Sequence, residues 1–153
     1  MPLTPAESVE QNLVAYLRRF ASCRESGDVE ELDGVSIVSS GIRFYMFNSA
    51  FLSSPLGGEP GELERRIELA ASRLGGGCRR WAFWASEEKL PNGTSSRVRA
   101  AFGKAGLTLA LRHPGMACEE LLPPERALPQ LDVVPVAGRA GRLQLAHFNA
   151  VAF

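Results

Sequence analysis

The side chains that could do metal or acid–base chemistry are few and scattered along the chain. The sequence contains three cysteines, Cys23, Cys78 and Cys118, and two histidines, His113 and His147. No two of them have the spacing of metal ligands, so no metal site is predicted. Nothing near His113 in the sequence pairs with it as a catalytic base requires, and a structural role is expected. The odd cysteine count predicts reduced, mostly buried thiols in a cytoplasmic protein.

A second set of residues could bind a ligand rather than react with it. Tyr45, Asn48 and Trp84 carry polar or aromatic groups that could line a cleft at the ends of strands. The simpler interpretation is that they are core and turn residues. No catalytic residue is predicted among them.

A glycine-rich loop over residues 53–61 comes before a helical pattern. Such a loop can bind phosphate through backbone amides and the positive end of the helix dipole. Here Glu59, Glu62 and Glu64 stand where the anion would bind. Their carboxylates suit the dipole and repel a phosphate, so a flexible connection is predicted.

The segment expected to position these residues is the aromatic run over residues 80–85. Trp81 and Phe83 alternate with Trp84, so large side chains point to both faces of a strand. Such a strand belongs in the middle of a sheet that is covered by helices on both faces. The sequence therefore predicts an α/β (α+β) domain.

Other elements follow from spacing and from capping signals. A helix begins with a capping box of Thr4 and Glu7 and ends at Gly27, and Ser95 or Ser96 caps a later helix that ends at Gly106. Two further helical patterns cover residues 63–74 and 142–153. Four more strands are predicted over residues 29–40, 42–48, 107–111 and 131–136, with Gly34 as a turn or bulge inside the first. The first two should form an antiparallel hairpin.

Composition limits the possible partners. The chain has 153 residues, of which 45% are hydrophobic and 22% charged, and this suits one folded domain. Its 17 basic residues balance 17 acidic residues, which argues against binding nucleic acid or a membrane surface through bulk charge. No apolar run approaches the roughly 20 residues of a membrane span, and no signal peptide is recognisable.

Several short motifs occur in an order that is similar to the GNAT acetyltransferase superfamily. They are Gly41-Ile42-Arg43 with Phe47-Asn48, the run from Trp81 to Trp84, Pro114-Gly115-Met116, and residues 122–129. The chain resembles the degenerate N-terminal half of two-part bacterial N-acetyltransferases. That resemblance implies a mixed, mostly antiparallel sheet of about five or six strands with helices on both faces. It also implies a GNAT-like domain over residues 1–138, followed by a linker or helix over residues 139–153 that leads to a second half.

The resemblance also implies a place for the cofactor. Active members bind the pyrophosphate of acetyl-coenzyme A at a loop of the form Arg/Gln-x-x-Gly-x-Gly/Ala that opens a helix. Residues 53–61, at the expected place, contain no arginine or glutamine. Arg112, Gly115 and Ala117 match the pattern elsewhere, but too few residues remain before Pro123 for a helix. The resemblance thus implies a chain without its own acetyl-coenzyme A site.

Three functions remain open from the sequence. The chain is a non-catalytic half that supports the fold or acceptor pocket of an acetyltransferase, a stand-alone binding or interaction module, or a complete acyltransferase that uses acetyl-coenzyme A through an atypical loop. The expected partner is a C-terminal GNAT domain or a second copy of the chain. Leu143, Leu145 and Phe148 supply an apolar face that predicts self-association.

Overall fold

The computed structural model describes residues 3–76, 80–90, 95–120, 123–127, 129–130 and 132–152. The chain forms two compact units, Met1–Glu119 and Glu120–Phe153. In chain order, the helices and strands of the described residues are α1 (Pro5–Ser22), β1 (Asp28–Leu32), β2 (Val35–Ser39), β3 (Asn48–Leu52), α2 (Glu62–Leu74), β4 (Ala82–Trp84), α3 (Ser96–Lys104) and α4 (Gly138–Ala152). Short 3₁₀ turns occupy Tyr45–Phe47 and Glu87–Lys89.

Helix α1 begins as its sequence predicts but ends earlier. Thr4 Oγ1 accepts a hydrogen bond from the Glu7 amide at 3.2 Å, and the Glu7 carboxylate accepts one from the Thr4 amide at 2.7 Å. The helix ends at Ser22 rather than at Gly27. A Cβ atom at Gly27 would overlap the carbonyl of Ala21, so this glycine permits a close approach to the helix end instead of terminating it.

The strand predicted over residues 29–40 is two strands, β1 and β2, joined in an antiparallel hairpin. Leu32 pairs with Val35, and Asp33 and Gly34 form the turn between them. Both turn residues have positive φ, 42° at Asp33 and 78° at Gly34, as a type I′ hairpin turn requires. Of the two roles predicted for Gly34, a turn or a bulge, the structure shows the turn.

The strand predicted over residues 42–48 is wrong. These residues form an irregular connection with the Tyr45–Phe47 turn, and the strand that pairs with β2 is β3, which starts at Asn48. All five β3 residues are buried. The prediction relied on apolar residues at both odd and even positions. The aromatic side chains before Asn48 instead pack against α1 and against each other, and their backbone pairs with no described strand.

Strand β4 lies at an edge of the sheet and not in its middle. The strand order among the described residues is β1-β2-β3-β4, and β4 pairs with β3 in parallel. Residues 107–111, predicted as a strand, form none, and Leu109 and Leu111 are 62% and 59% exposed. The prediction failed because alternation marks a strand only when one face has a core to cover.

The sheet is mixed and mostly antiparallel, with four strands in the part of the chain that the structure describes, fewer than predicted. Helices cover both of its faces, as predicted. Phe83 packs among residues of α2 and α3, whereas Trp84 packs with Leu17 of α1 and Phe51 of β3. Phe83 and Trp84 therefore pack on opposite faces of the sheet. This confirms the prediction that large side chains of this strand point to both faces.

The second unit contains helix α4, which starts at Gly138, before the predicted Arg142. Residues 132–136 form no strand, and Leu131 of the predicted strand lies outside the described residues. Helix α4 starts one residue before the boundary predicted between residues 138 and 139, and the domain assignment stays a prediction. In the described ranges, no helix combines the length and apolarity needed to cross a bilayer.

Candidate functional site

Asn48, predicted as a ligand residue, is completely buried and holds the connection before β3. Its Oδ1 accepts a hydrogen bond from the Ser40 amide at 3.1 Å. Its Nδ2 donates to the carbonyl oxygens of Ile42 at 2.6 Å and Phe44 at 3.1 Å. The amide thus uses both donors and its acceptor on the backbone of one loop. Such a group shapes a site but does not present itself to a ligand.

Trp84 is tied to the same loop through one serine. Its indole Nε1 donates to Ser49 Oγ at 3.1 Å, and Ser49 Oγ donates to the Met46 carbonyl at 3.0 Å. The indole ring stacks on Phe51, with centroids 6.4 Å apart, and lies 5.7 Å from the ring of His113. The structure therefore brings Trp84 to the connection that contains Tyr45 and ends at Asn48. It also packs His113 against Trp84.

Tyr45 occupies the 3₁₀ turn directly before Asn48 and is half-buried. Its ring lies against Phe44, with centroids 5.1 Å apart. The three predicted ligand residues thus belong to one neighbourhood, but only Tyr45 and Trp84 keep part of their surface accessible.

A charged pair lies at the carboxyl end of the parallel strands β3 and β4. Lys89 Nζ donates to the Leu52 carbonyl at 2.7 Å and forms an ion pair with Glu10 at 2.8 Å. The two side chains are 18% and 15% exposed. The ligand-binding crevice of an open α/β sheet lies outside the carboxyl ends of its strands. In this chain the ammonium group instead links β3, α1 and the Glu87–Lys89 turn.

The glycine-rich loop over residues 53–61 is closed by a buried arginine. Arg66 of α2 donates to the carbonyl of Ser54 at 2.8 Å and to the carboxylate of Glu62 at 2.7 Å. Longer bonds reach the carbonyls of Gly34 and Pro55. The Arg66 and Glu62 side chains are only 10% and 14% exposed. The second carboxylate oxygen of Glu62 is buried and has no hydrogen-bond partner.

This arrangement is the reverse of a phosphate-binding loop. A phosphate is held by N–H donors that point to a common centre. Here the carbonyls of the loop converge on a guanidinium group, and the Glu62 amide donates to the Glu59 carbonyl at 3.3 Å. Arg66 therefore takes up the Ser54 and Pro55 carbonyls of the loop, and a carboxylate stands at the start of α2.

The second candidate cofactor motif is irregular and exposed. Arg112, Gly115 and Ala117 lie in a segment with no helix through residue 120. Arg112 approaches the carboxylate of Glu87 at 3.9 Å. A Cβ at Gly115 would lie 3.0 Å from Val9 of α1, so this glycine serves a close packing contact. The helix that would orient amides toward an anion does not follow this motif.

The cysteines differ from their prediction. Cys23 and Cys118 are exposed, because one caps the end of α1 and the other lies in the irregular segment. Cys78 lies outside the described residues. An open depression of about 420 Å³ borders Cys23 and includes Arg24, Glu25 and Ser26, but none of the predicted ligand residues. Where the chain is described, no cluster of three metal-ligating side chains occurs.

Two sets of contacts near the candidate site, those of Arg66 and Lys89, are not predicted from the sequence. Arg66 follows Leu63 by three positions and precedes Ile67, so its place on the core face of α2 was readable as a charged residue in an apolar stripe. Lys89 gave no such signal, because Glu10 and Leu52 are remote from it along the chain. No protein-family model, curated protein or solved structure matches this chain at a significant level.

Proposed function

We propose that this chain is a GNAT-related domain without an acetyl-coenzyme A site of its own. In this role it is the non-catalytic half that supports the fold or acceptor pocket of an N-acetyltransferase. The succession of α1, three antiparallel strands, α2, the parallel strand β4 and α3 supports the proposal, since the sequence resemblance implies a mixed, mostly antiparallel sheet with helices on both faces.

The observation that carries the proposal is the closed loop between β3 and α2. The resemblance assigns the pyrophosphate of the coenzyme to this loop. Arg66 already takes up the carbonyls of Ser54 and Pro55, and Glu62 places a carboxylate at the start of α2. An incoming pyrophosphate would meet the like charge of the Glu62 carboxylate at the start of α2, so the coenzyme would not be anchored. Without that anchor, the thioester is not positioned for transfer.

Titration calorimetry of the full chain with acetyl-coenzyme A tests this proposal. We expect no saturable heat and no rise of the melting temperature, because a ligand that binds the native state must raise it. A known acetyltransferase measured in the same buffer is the positive control. Micromolar binding would overturn the proposal. If Gly115→Glu then abolished that binding, Arg112, Gly115 and Ala117 would be the cofactor loop.

A second candidate function, an interaction module, is favoured by the surface of α4. The helix exposes Leu143, Leu145, Phe148 and Val151 by 58%, 46%, 66% and 75%. Several exposed apolar side chains along one helix favour an interaction site. Light scattering over a range of concentrations should detect association that Phe148→Ser reduces. A monodisperse monomer at high concentration would contradict this function.

A further inference from the structure

A cluster of aromatic side chains lies on the surface of the first unit, away from the closed loop. It joins the second half of α1 to the connection before β3. The rings of Phe20 and Phe47 stack with centroids 4.3 Å apart. Tyr16 flanks Phe20 at 6.4 Å, and Phe44 lies 5.6 Å from Phe47 and 5.1 Å from Tyr45. We call these five residues the aromatic surface.

Part of this cluster faces solvent. Tyr16 is 57% exposed and Phe44 is 44% exposed, while Phe20, Tyr45 and Phe47 are half-buried. Large apolar side chains scattered singly over a surface are ordinary. Five aromatic side chains in continuous contact are not scattered, and a patch of this kind on a folded domain marks a place where another molecule binds.

The two chain segments that carry the aromatic surface hold charges of one sign. Residues 15–24 and 40–48, which carry all five rings, contain Arg18, Arg19, Arg24 and Arg43 and no aspartate or glutamate. Arg18 is engaged by Glu31 and Ser36, and Arg24 Nε donates to the Ser40 carbonyl. Arg19 and Arg43 are exposed. The chain as a whole has no net charge, so this basic rim is a local segregation of charge.

The composition of the surface is that of a protein interface. The cores of protein–protein interfaces are enriched in tyrosine, phenylalanine, methionine and arginine, and depleted in lysine, aspartate and glutamate. Residues 40–48 follow this composition, with Met46 between the aromatic residues. The rings also cover one another's faces at the Phe20–Phe47 stack, which leaves little platform for the successive bases of a single-stranded nucleic acid.

From the rings and the basic rim together, we infer that the aromatic surface docks an acidic segment of another protein. Apolar side chains of that segment pack on Tyr16 and Phe44, and its carboxylates pair with Arg19 and Arg43. This inference does not depend on the acetyltransferase proposal. Tyr45 is shared with the predicted ligand residues, whereas the loop closed by Arg66 contributes nothing to it.

A random library of short displayed peptides, selected on the full-length chain, tests the inference. We expect selected peptides to combine carboxylates with leucine, proline or aromatic residues. Tyr16→Ser with Phe44→Ser should weaken a selected peptide about thirtyfold, the size of an interface hot spot. Arg43→Glu should weaken it as well, and added salt should do the same in the wild type.

Controls separate lost binding from lost folding. Leu109→Ser removes a leucine that is 62% exposed elsewhere in the same unit, and it should bind the peptide like the wild type. Each variant must keep the wild-type melting temperature. If selection yields no binder, if selected peptides lack acidic residues, or if they bind Tyr16→Ser/Phe44→Ser equally well, the inference is wrong. A dimer abolished by that double variant would make the occupant a second copy and also overturn it.

Discussion

The connections on either side of β3 are both irregular, yet they are held by opposite kinds of chemistry. The connection before β3 is fixed by Asn48, a neutral amide with one acceptor and two donors in use. The connection after β3 is fixed by Arg66, a buried cation with Glu62 beside it. Both loops also make apolar contacts, through Phe47 in the first and Leu56 in the second. In each loop, however, one side chain at the border binds several backbone carbonyls.

We call Asn48 the neutral clamp and Arg66 the charged clamp. The two differ in which polar groups lose a partner when the clamp is removed. Loss of the amide exposes neutral backbone groups, and water can reach some of them. Loss of the guanidinium leaves a carboxylate in a poorly solvated site, where an unpaired charge is costly. Removal of Arg66 should therefore cost more stability than removal of Asn48, although the bonds of Asn48 measure 2.6–3.1 Å and those of Arg66 2.7–3.5 Å.

The largest effect is expected from Arg66→Met. Removing one member of a buried pair should lower the free energy of unfolding by about 4 kcal/mol, measured by urea denaturation. Arg65→Met is the matched control, because Arg65 pairs with Glu59 at 3.6 Å on the surface, and it should cost below about 1 kcal/mol. Adding Glu62→Gln to Arg66→Met should recover part of the loss. Equal costs for Arg65→Met and Arg66→Met would contradict the charged clamp.

Asn48→Ala should follow, with a loss of about 3 kcal/mol, at about 1 kcal/mol for each of its three hydrogen bonds. The Ser40 amide and the Phe44 carbonyl would keep only their backbone bonds to Phe47. Asn48→Asp tests the donors alone. Its carboxylate would face two carbonyls, so the protonated form should be favoured and the variant should gain stability relative to wild type as pH falls. An Asn48→Asp variant as stable as wild type at neutral pH would show that Nδ2 is not needed.

Gly34→Ala should cost about 2 kcal/mol, because φ is 78° and a Cβ would lie 2.6 Å from the Arg66 guanidinium carbon. Gly106→Ala isolates the backbone term, since φ is 74° there and its Cβ would meet nothing within 4 Å. Gly34→Ala combined with Arg66→Met should cost less than the sum of the two. Additive costs in this double-mutant cycle would separate the hairpin turn from the clamp.

The smallest effect is expected at the exposed capping box of α1, outside both loops. Hydrogen bonds from Thr4 hold the pKa of Glu7 below its ordinary value of 4.5. A carboxyl with a lowered folded-state pKa stabilises the native state above its unfolded pKa, and the contribution is lost as pH falls through the folded value. Glu7→Gln should therefore flatten the dependence of the melting temperature on pH below about 4.5. A slope identical to that of wild type would dismiss this contribution.

Local signals predicted the helices well. The caps at Thr4 and Ser95 form as their sequences indicate, because a cap involves residues three positions apart. The Asp33-Gly34 turn is equally local, although the β-branched residues after it favour a longer strand. The candidate site was harder to predict. Asn48 was named for its polar group, while its actual role depends on which backbone groups of a loop lack partners, and no pattern reports that.

The position of β4 could not be derived from its residues. A strand with aromatic side chains on both faces needs cover above and below, and helices supply that cover at the edge as well as in the middle. Whether a further strand pairs with it depends on the path of the chain after α3. The GNAT resemblance also stays a prediction, because it relies on short motifs and their order.

The parallel pairing of β4 has a consequence for the order in which the sheet assembles. Strands β1, β2 and β3 pair with sequence neighbours, so their loops close at little entropic cost. Strand β4 follows α2 in the chain, so it can pair with β3 only after α2 has crossed the sheet. Only three residue pairs join β4 to β3. The antiparallel meander can thus form as a nucleus on which α2 condenses, and β4 completes the sheet last. Native-state hydrogen exchange should then find the β4 amides opening at lower free energy than those of β2.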